Sequence, residues 1–324
     1  MAQETVAFVW LEDGRRIAYQ EMGCTQDTAT RSLLVLHGAF SSRLFAMPGV
    51  SRAVLLEFGV RLVAIDRPGY GASDPNPSQT LENFTYDIVF VVDQLCMGPQ
   101  IWLLGYSLGC IYCWAAARYI PHRLAGIALW APPANFEWKI FTSEEVQAIK
   151  AGFSWRALRE LYFEAKRAPF AEFRQHVGEF CKRLLEKEWI PNAFLRTLSP
   201  SDTKALSDPH ILEFFLKDRS MSVGGWTNGY GLAKDFQLLT TPWGFEAKEL
   251  IKHSYQGMIH IWQGDQDTAI PLLLQEIMER KLHFVRLHKL LGQGHFSGFY
   301  FNDCTHRSTM TALFARRSHN KSRL

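Results

Sequence analysis

The segment Gly105–Gly109 constrains this chain more than any other, because it reads G-x-S-x-G between two different hydrophobic patterns. The apolar run Ile101–Leu104 directly before it is typical of a buried strand. Apolar residues after it recur at helical spacing, namely Leu108, Ile111, Tyr112, Ala115 and Ala116. Gly105 and Gly109 let strand and helix approach closely, which predicts a sharp turn that exposes the Ser107 hydroxyl. A glycine-rich connection without chemistry is the alternative interpretation.

The composition indicates a folded globular protein with a substantial core. Of 324 residues, 47% are hydrophobic, 21% charged and 13% aromatic, which excludes the disordered and fibrous classes. The formal net charge is only +3 and is scattered along the chain. We therefore expect neither nucleic acid nor an anionic membrane as a partner.

The six cysteines are too widely spaced for the disulfide framework of a small secreted domain. Cys110 and Cys113 have the spacing of a redox or metal pair, but they fall inside the predicted helix and no second Cys/His pair lies nearby. The sequence favours buried thiols on that helix. It predicts no metal and no organic cofactor.

The two termini bear on location. Residues 1–5 lack a basic region followed by an apolar one, and no apolar run could span a bilayer, so we expect a soluble intracellular protein without stable membrane insertion. The final residues Ser322, Arg323 and Leu324 resemble the Ser-Lys-Leu type of peroxisomal address, which an import receptor binds. They predict a peroxisomal location. If they are an ordinary basic tail, the cytoplasm is the alternative.

Strand-like and helix-like runs alternate along most of the chain. The predicted strands are Ser32–Leu36, Arg61–Ile65, Ile101–Leu104, Ala125–Trp130, Met258–Trp262 and Val285–Leu290. Asp13-Gly14 lies between two shorter strand-like runs and suits a tight hairpin turn. A crossover helix is predicted from Leu81 to Leu95. The pattern is typical of an α/β fold with a mostly parallel, doubly wound sheet that opens with an antiparallel hairpin.

The alternation stops at Ala131-Pro132-Pro133 and resumes near Met258. The interval is too long and too rich in helix formers to be a loop, so we predict an inserted, mainly helical cap. Fifteen aromatic residues lie between Trp138 and Tyr230, and some should face a cavity that favours an apolar ligand. The predicted organisation is a first core part at 1–133, a cap at 134–256, a second core part at 257–314 and a basic tail at 315–324.

Titratable residues lie just after the last two predicted strands, Met258–Trp262 and Val285–Leu290. Asp265 and Asp267 follow the first of them, and His295 follows the second. A serine hydroxyl needs a base to take its proton and an acid to orient that base. The order Ser, Asp, His, each just past a strand end, therefore predicts a catalytic group of Ser107, one of the two aspartates and His295.

These features together resemble the capped α/β-hydrolase superfamily, over nearly the whole chain from Phe8 to about Phe314. The resemblance rests on His37-Gly38, the run Asp66–Ser73, the G-x-S-x-G segment, the G-x-x-D-x-x-x-P run that contains Asp267, and Gly294-His295. The hairpin Leu11–Arg16 and the run Pro121–Gly126 resemble most closely a branch common in plants, whose substrates are largely undefined.

The resemblance implies a role for each matching position. Ser107 matches the nucleophile and His295 the general base, while the G-x-x-D spacing selects Asp267 over Asp265 as the acid. The backbone amides of Ala39 and Leu108 match the donors of the oxyanion hole.

The neighbouring motifs have supporting roles in this resemblance. His37 and Gly38 shape the turn that carries the oxyanion donor, and Asp66 and Arg67 hold the loop after the next strand in place. Many relatives have a bulky residue where this chain has Ala39, which predicts a wider acyl pocket.

Ser107 argues against the epoxide and haloalkane hydrolases of this fold, which use an aspartate nucleophile. The resemblance implies hydrolysis of a small, largely apolar ester or thioester through an acyl-enzyme. The same residues also suit C–C bond hydrolysis, amide hydrolysis or acyl transfer to an alcohol. A different kind of function is also open: the protein could be a ligand receptor on a hydrolase scaffold, with slow turnover.

Overall fold

The computed structural model describes residues 6–185, 195–223, 228–252 and 257–315. Its strands are β1 (Ala7–Trp10), β2 (Arg16–Gly23), β3 (Arg31–Leu36), β4 (Val60–Ile65), β5 (Ile101–Tyr106), β6 (Leu124–Trp130), β7 (Ile259–Gly264) and β8 (Val285–Leu290). They form a sheet of order β1-β2-β4-β3-β5-β6-β7-β8. The pairs β1–β2 and β2–β4 are antiparallel, and all other neighbours are parallel. The predicted fold class is confirmed.

Helices surround this sheet and connect its strands. The α-helices of the described residues, numbered in chain order, are α1 (Arg52–Glu57), α2 (Leu81–Gln94), α3 (Cys110–Tyr119), α4 (Ser143–Ala151), α5 (Arg156–Ala165), α6 (Phe170–Leu185), α7 (Pro200–Leu206), α8 (Pro209–Val223), α9 (Tyr230–Thr240), α10 (Glu249–Lys252), α11 (Leu272–Lys281) and α12 (Asp303–Leu313). The predicted crossover helix is α2, which begins with a capping box between Thr80 and Asn83. Short 3₁₀ turns occupy Ser107–Gly109 and Pro121–Arg123.

The central strands are apolar because both faces of the sheet are covered. All six residues of β4 are buried. One hydrophobic cluster joins the sheet to α2 and α3 through residues such as Ile88 and Ile111. A second cluster covers the other face with Val54 of α1 and Met310 of α12. The loops that follow the strands therefore start from a well-packed sheet.

The opening hairpin forms at the predicted turn. Leu11 N donates to Arg15 O at 2.8 Å, and Gly14 has φ +84°. Trp10 pairs with Arg16 at the end of the ladder. The hairpin extends the sheet because β2 then pairs with β4.

Helices α4–α10 all lie between β6 and β7, in the interval where the sequence predicts an insertion. We call this part of the chain the inserted segment. The predicted aromatic residues Trp189, Phe194 and Trp226 lie outside the described residues, as do most of the predicted basic tail and its Ser322, Arg323 and Leu324. The thiols of Cys110 and Cys113 are free and buried, as predicted. In the described ranges, no helix is both long and apolar enough to span a membrane.

A buried ion pair ties the inserted segment to the core. Arg67, in the loop after β4, pairs with Asp235 of α9, and both side chains are almost completely buried. The hydroxyls of Tyr70 and Tyr112 each donate to Asp235 at 2.6 Å. Burial of both charges is costly, but removal of one partner leaves the other uncompensated. The pair therefore fixes α9 against the loop after β4.

A second buried carboxylate, Asp218 of α8, holds the loop after β3. The Ser41 hydroxyl donates to Asp218 at 2.5 Å, and the Ser42 hydroxyl and amide donate at 2.6 and 2.9 Å. Burial raises the pKa of Asp218 to about 7; the two serines oppose the rise, and nearby Asp66 adds to it. Asp218 consequently changes charge near neutral pH.

This pKa predicts a pH-dependent stability. Because the folded-state pKa of Asp218 lies above the unfolded value, its contribution is fully present below about pH 4 and is lost as pH rises through about 7. Relative to Asp218→Asn, the wild type should lose about 2–4 kcal/mol of unfolding free energy between pH 5 and 8. Urea denaturation at several pH values measures the difference. Asp27→Asn at an exposed site is the matched control, and parallel pH profiles for wild type and Asp218→Asn would contradict the prediction.

Candidate active site

Ser107 lies at the turn between β5 and α3. β5 extends two residues beyond its predicted end, through Gly105 and Tyr106, and leads directly into the 3₁₀ turn at Ser107–Gly109. The serine has φ +47°, in the left-handed region that non-glycine residues rarely adopt. Strain of this kind persists only where the surroundings fix it. The turn thus holds Ser107 in a fixed backbone conformation, and the residue is only partly buried.

Close packing on both sides of the serine explains the two motif glycines. A β-carbon built on Gly105 would lie 2.7 Å from Cys113 Sγ, and one on Gly109 would lie 2.3 Å from Leu36 O. Each distance is shorter than van der Waals contact. Neither position can accept a side chain unless strand and helix separate.

The loop after β3 lies beside Ser107. A β-carbon built on Gly38 would lie only 3.1 Å from Ser107 Cβ, so the backbone of this loop approaches the serine directly. Ala39 and Leu108 line the same cavity as Ser107. The structure therefore brings together the serine and the two residues predicted to supply oxyanion donors.

His37 is buried behind this loop rather than facing the cavity. Its Nδ1 lies 2.9 Å from Gly38 O, and its Nε2 accepts a hydrogen bond from Arg67 N at 3.1 Å. Burial, and next the Arg67 charge, hold the pKa of His37 well below its usual value. The Arg67 guanidinium also donates to the carbonyls of His37 and Gly38 at 3.0 and 3.1 Å. A neutral His37 and a buried Arg67 thus position the loop.

His295 and Asp267 meet at the ends of β7 and β8. His295 Nδ1 lies 2.8 Å from Asp267 Oδ2, and both side chains are almost fully buried. The other oxygen of Asp267 accepts from the amides of Ala269 and Ile270, each at 2.8 Å. Asp265 instead is exposed and accepts from Gly292 N at 2.7 Å. Of the two candidate aspartates, only Asp267 contacts the imidazole.

Tyr106 links the serine turn to the histidine loop. Its hydroxyl donates to His295 O at 2.9 Å, and its ring centroid lies 5.1 Å from that of His295. Within the described parts of the chain, the imidazole is hydrogen-bonded to Asp267 but not to the Ser107 hydroxyl. Such bonds are often long before substrate binds.

Asp202 of α7 is a site residue that the sequence analysis missed. Its buried carboxylate accepts from the backbone amides of His295, Phe296 and Ser297 at 2.9, 2.8 and 2.9 Å. The inserted segment thus holds the backbone on which His295 stands. Ser199 caps α7 at Asp202 N, so the sequence Ser-Pro-Ser-Asp signals a helix start. No local pattern, however, indicates a distant loop as the partner of this carboxylate.

Trp155, also in the inserted segment, covers the imidazole. Its ring meets His295 edge-on, with centroids 5.2 Å apart, and its Nε1 donates to Thr268 Oγ1 at 3.0 Å. Trp155 also lines the Ser107 cavity. It therefore separates His295 from bulk water while it borders the space available to a ligand.

The cavity at Ser107 has a volume of about 610 Å³. Ser107, Ala39 and Leu108 form one side, and residues of β6, α4, α5, α9 and α11 or their adjoining loops complete the wall. The aromatic lining residues are Phe136, Phe153, Trp155, Tyr162, Phe163 and Phe236. A wall of this kind suits an apolar ligand. In the residues that the structure describes, no group of three or more His, Cys, Asp and Glu side chains could hold a metal ion.

The Asp202 contacts predict a specific loss of stability. Asp202→Asn places an amide donor among three backbone donors, so at least one buried N–H loses its acceptor. Urea denaturation should show a loss of about 1–3 kcal/mol. Asp265→Asn is the control, because that exposed carboxylate also supports a turn but water can replace it. Equal losses in the two variants would refute the prediction.

Comparisons with known proteins agree with this fold. A family model described as alpha/beta hydrolase fold matches residues 31–301. Bifunctional epoxide hydrolase 2 from Sus scrofa is 23% identical over 181 residues, which cover 54% of this chain and 30% of that protein. Protein ABHD14A from Rattus norvegicus is 28% identical over 136 residues, which cover 42% of this chain and 54% of that protein. The chain thus spans from under a third to about half of the length of these relatives.

Solved structures are similar over nearly the full chain. An alpha/beta hydrolase fold protein from Chitinophaga pinensis has a TM-score of 0.66 at 17% identity, and covers 96% of this chain and 98% of its own. An esterase from Exiguobacterium antarcticum has a TM-score of 0.58 at 19% identity, with 95% and 98% covered. At these identities the likeness shows the fold alone, and the plant-type branch stays a prediction. Because the family model extends from β3 to beyond His295, this chain belongs to the alpha/beta hydrolase fold family.

Proposed function

We propose that this protein is a serine hydrolase that cleaves a carboxylic ester or thioester of a small, largely apolar substrate through an acyl-enzyme. The observation that carries the proposal is the shared cavity of Ser107, Ala39 and Leu108, which lies beneath an aromatic wall. The hydrogen-bonded pair of His295 and Asp267 adds a base and the group that orients it. In this proposal the inserted segment acts as a cap over the site.

The mechanism assigns one task to each group. Ser107 Oγ attacks the carbonyl carbon while His295 Nε2 takes its proton, and Asp267 stabilises the imidazolium through Nδ1. The backbone amides of Ala39 and Leu108 bind the oxyanion. His295 then protonates the leaving group and activates the water that releases the acid. The bond between His295 Nε2 and Ser107 Oγ that this step needs is expected to form with substrate in place, since catalytic hydrogen bonds commonly tighten in the substrate complex.

The serine also distinguishes this proposal from epoxide opening. The relative from Sus scrofa is named as an epoxide hydrolase. Epoxide hydrolases of this fold have an aspartate where this chain has Ser107. Ser107 cannot supply a carboxylate for alkyl-enzyme formation. Its oxygen suits acyl transfer.

A slow-turnover ligand receptor is the second candidate. The observation that favours it is the buried imidazole under Trp155, without a hydrogen bond to Ser107 among the described residues. A receptor would keep its ligand response in a Ser107→Ala variant, whereas an enzyme would lose turnover. C–C bond hydrolysis and acyl transfer use the same groups and would appear as different products.

The first test is covalent labelling. A fluorophosphonate should label the wild type at one site, and Ser107→Ala should abolish both this labelling and the hydrolysis of short acyl esters and thioesters. Ser207→Ala, at an exposed position on the inserted segment, is the matched control and should behave as the wild type. Undiminished labelling and hydrolysis by Ser107→Ala would overturn the proposal.

The second test separates the two aspartates. Asp267→Asn leaves the imidazole without its carboxylate, so kcat should fall by about 10³–10⁴-fold. Asp265→Asn should change kcat by only a few-fold, because Asp265 bonds the backbone of Gly292 instead of the imidazole. Steady-state kinetics on one ester measures both variants. A greater loss for Asp265→Asn would reverse the assignment of the acid.

A further inference from the structure

Lys150 is a cation in the wall of the Ser107 cavity, and no carboxylate of the described residues pairs with it. It occupies the last turn of α4, is half-buried and lines the cavity together with Phe136. Its ammonium lies 5.4 Å from the centroid of the Phe136 ring. Among the described residues, no carboxylate oxygen comes within the 4.0 Å of an ion pair with Lys150 Nζ.

Two carboxylates near α4 are engaged by other cations. Glu137 pairs with Lys166 at 2.7 Å, and Glu145 pairs with Lys281 at 2.5 Å. Burial lowers the pKa of Lys150, and the nearby Lys166 charge lowers it further, while Glu137 opposes both only in part. The Lys150 ammonium therefore lies in a positive electrostatic environment, which an added negative charge would neutralise.

Other donors border the same cavity. Arg159 of α5 lines it and makes no ion pair with any of the residues described, and Gln147 of α4 adds a side-chain amide. Glu160 supplies a carboxylate to the lining. Lys150 and Arg159 together outweigh the single carboxylate of Glu160, so this part of the cavity wall has a net positive charge. Most other lining residues are aromatic or aliphatic.

We propose that the cavity takes esters whose far end carries an anionic group, foremost a carboxylate, and that Lys150 binds this group. The apolar chain between the ester and the anion would lie against the aromatic wall. A carboxylate would give the half-buried ammonium a counter-charge, and exclusion of water strengthens that attraction. At about 610 Å³ the cavity has room for roughly twenty water-sized groups, enough for a chain of medium length.

This inference rests on the proposed function for the location of the ester, but its test does not require turnover. Ser107→Ala protein is titrated with monomethyl adipate and with neutral dimethyl adipate. A second pair, 6-acetoxyhexanoate and its methyl ester, places the charge on the alcohol side of the ester instead. Within at least one pair, the charged member should bind at least about fivefold more tightly. The pair that shows the preference identifies the side of the ester that faces Lys150.

Variants in the Ser107→Ala background assign the preference to Lys150. Lys150→Met keeps the length of the side chain without its charge and should bring the ratio of charged to neutral affinity close to one. Lys150→Arg should retain most of the ratio. Lys182→Met is the matched control, because Lys182 is exposed on α6 outside the cavity lining and its loss changes net charge equally.

Equal affinity for the charged and neutral members of both pairs would overturn the inference. So would a ratio that survives in Lys150→Met or falls equally in Lys182→Met. If the preference is present but no ester is hydrolysed by the wild type, the proposed function fails and the anion site stands. If esters are hydrolysed without any preference, the anion site alone fails.

Discussion

The close approach of β3, β5 and α3 around Ser107 is the constraint on which the rest of the structure depends. Gly109 packs so tightly against Leu36 O that a β-carbon would lie at 2.3 Å, and the serine keeps φ +47°. Parallel strands end at one edge of the sheet, so the loops after β7 and β8 meet at the same place. The Asp267–His295 pair is positioned by this edge, and the cavity is bounded by it.

Three buried aspartates connect the inserted segment to that edge. Asp202 binds the amides of the His295 loop, Asp218 binds the serines after β3, and Asp235 pairs with Arg67. Each comes from a different helix, and each holds a different loop of the core. Buried carboxylates are costly unless hydrogen-bonded or paired, and here their donors come from the core. The position of the inserted segment and the geometry of the candidate site are therefore coupled.

The sequence predicts the local parts of this arrangement well and the long-range parts poorly. Hydrophobic runs place the strands, and the order Ser107, Asp267, His295 follows from motifs at strand ends. The choice of Asp267 over Asp265 needed family spacing, since both follow the same strand. No local pattern in the sequence indicates the contacts that Asp202, Trp155 and Lys150 make. Their partners or surroundings lie far along the chain, so only the folded structure reveals them.

Rapid-quench mass spectrometry shows whether Ser107 forms an acyl-enzyme. Protein mixed with p-nitrophenyl acetate is quenched within one turnover, and its intact mass and peptides are measured. We expect one acetyl group per chain, on the peptide that contains Ser107. Release of p-nitrophenol in that turnover, either without an acetylated chain or with acetyl groups spread over lysines, would contradict it.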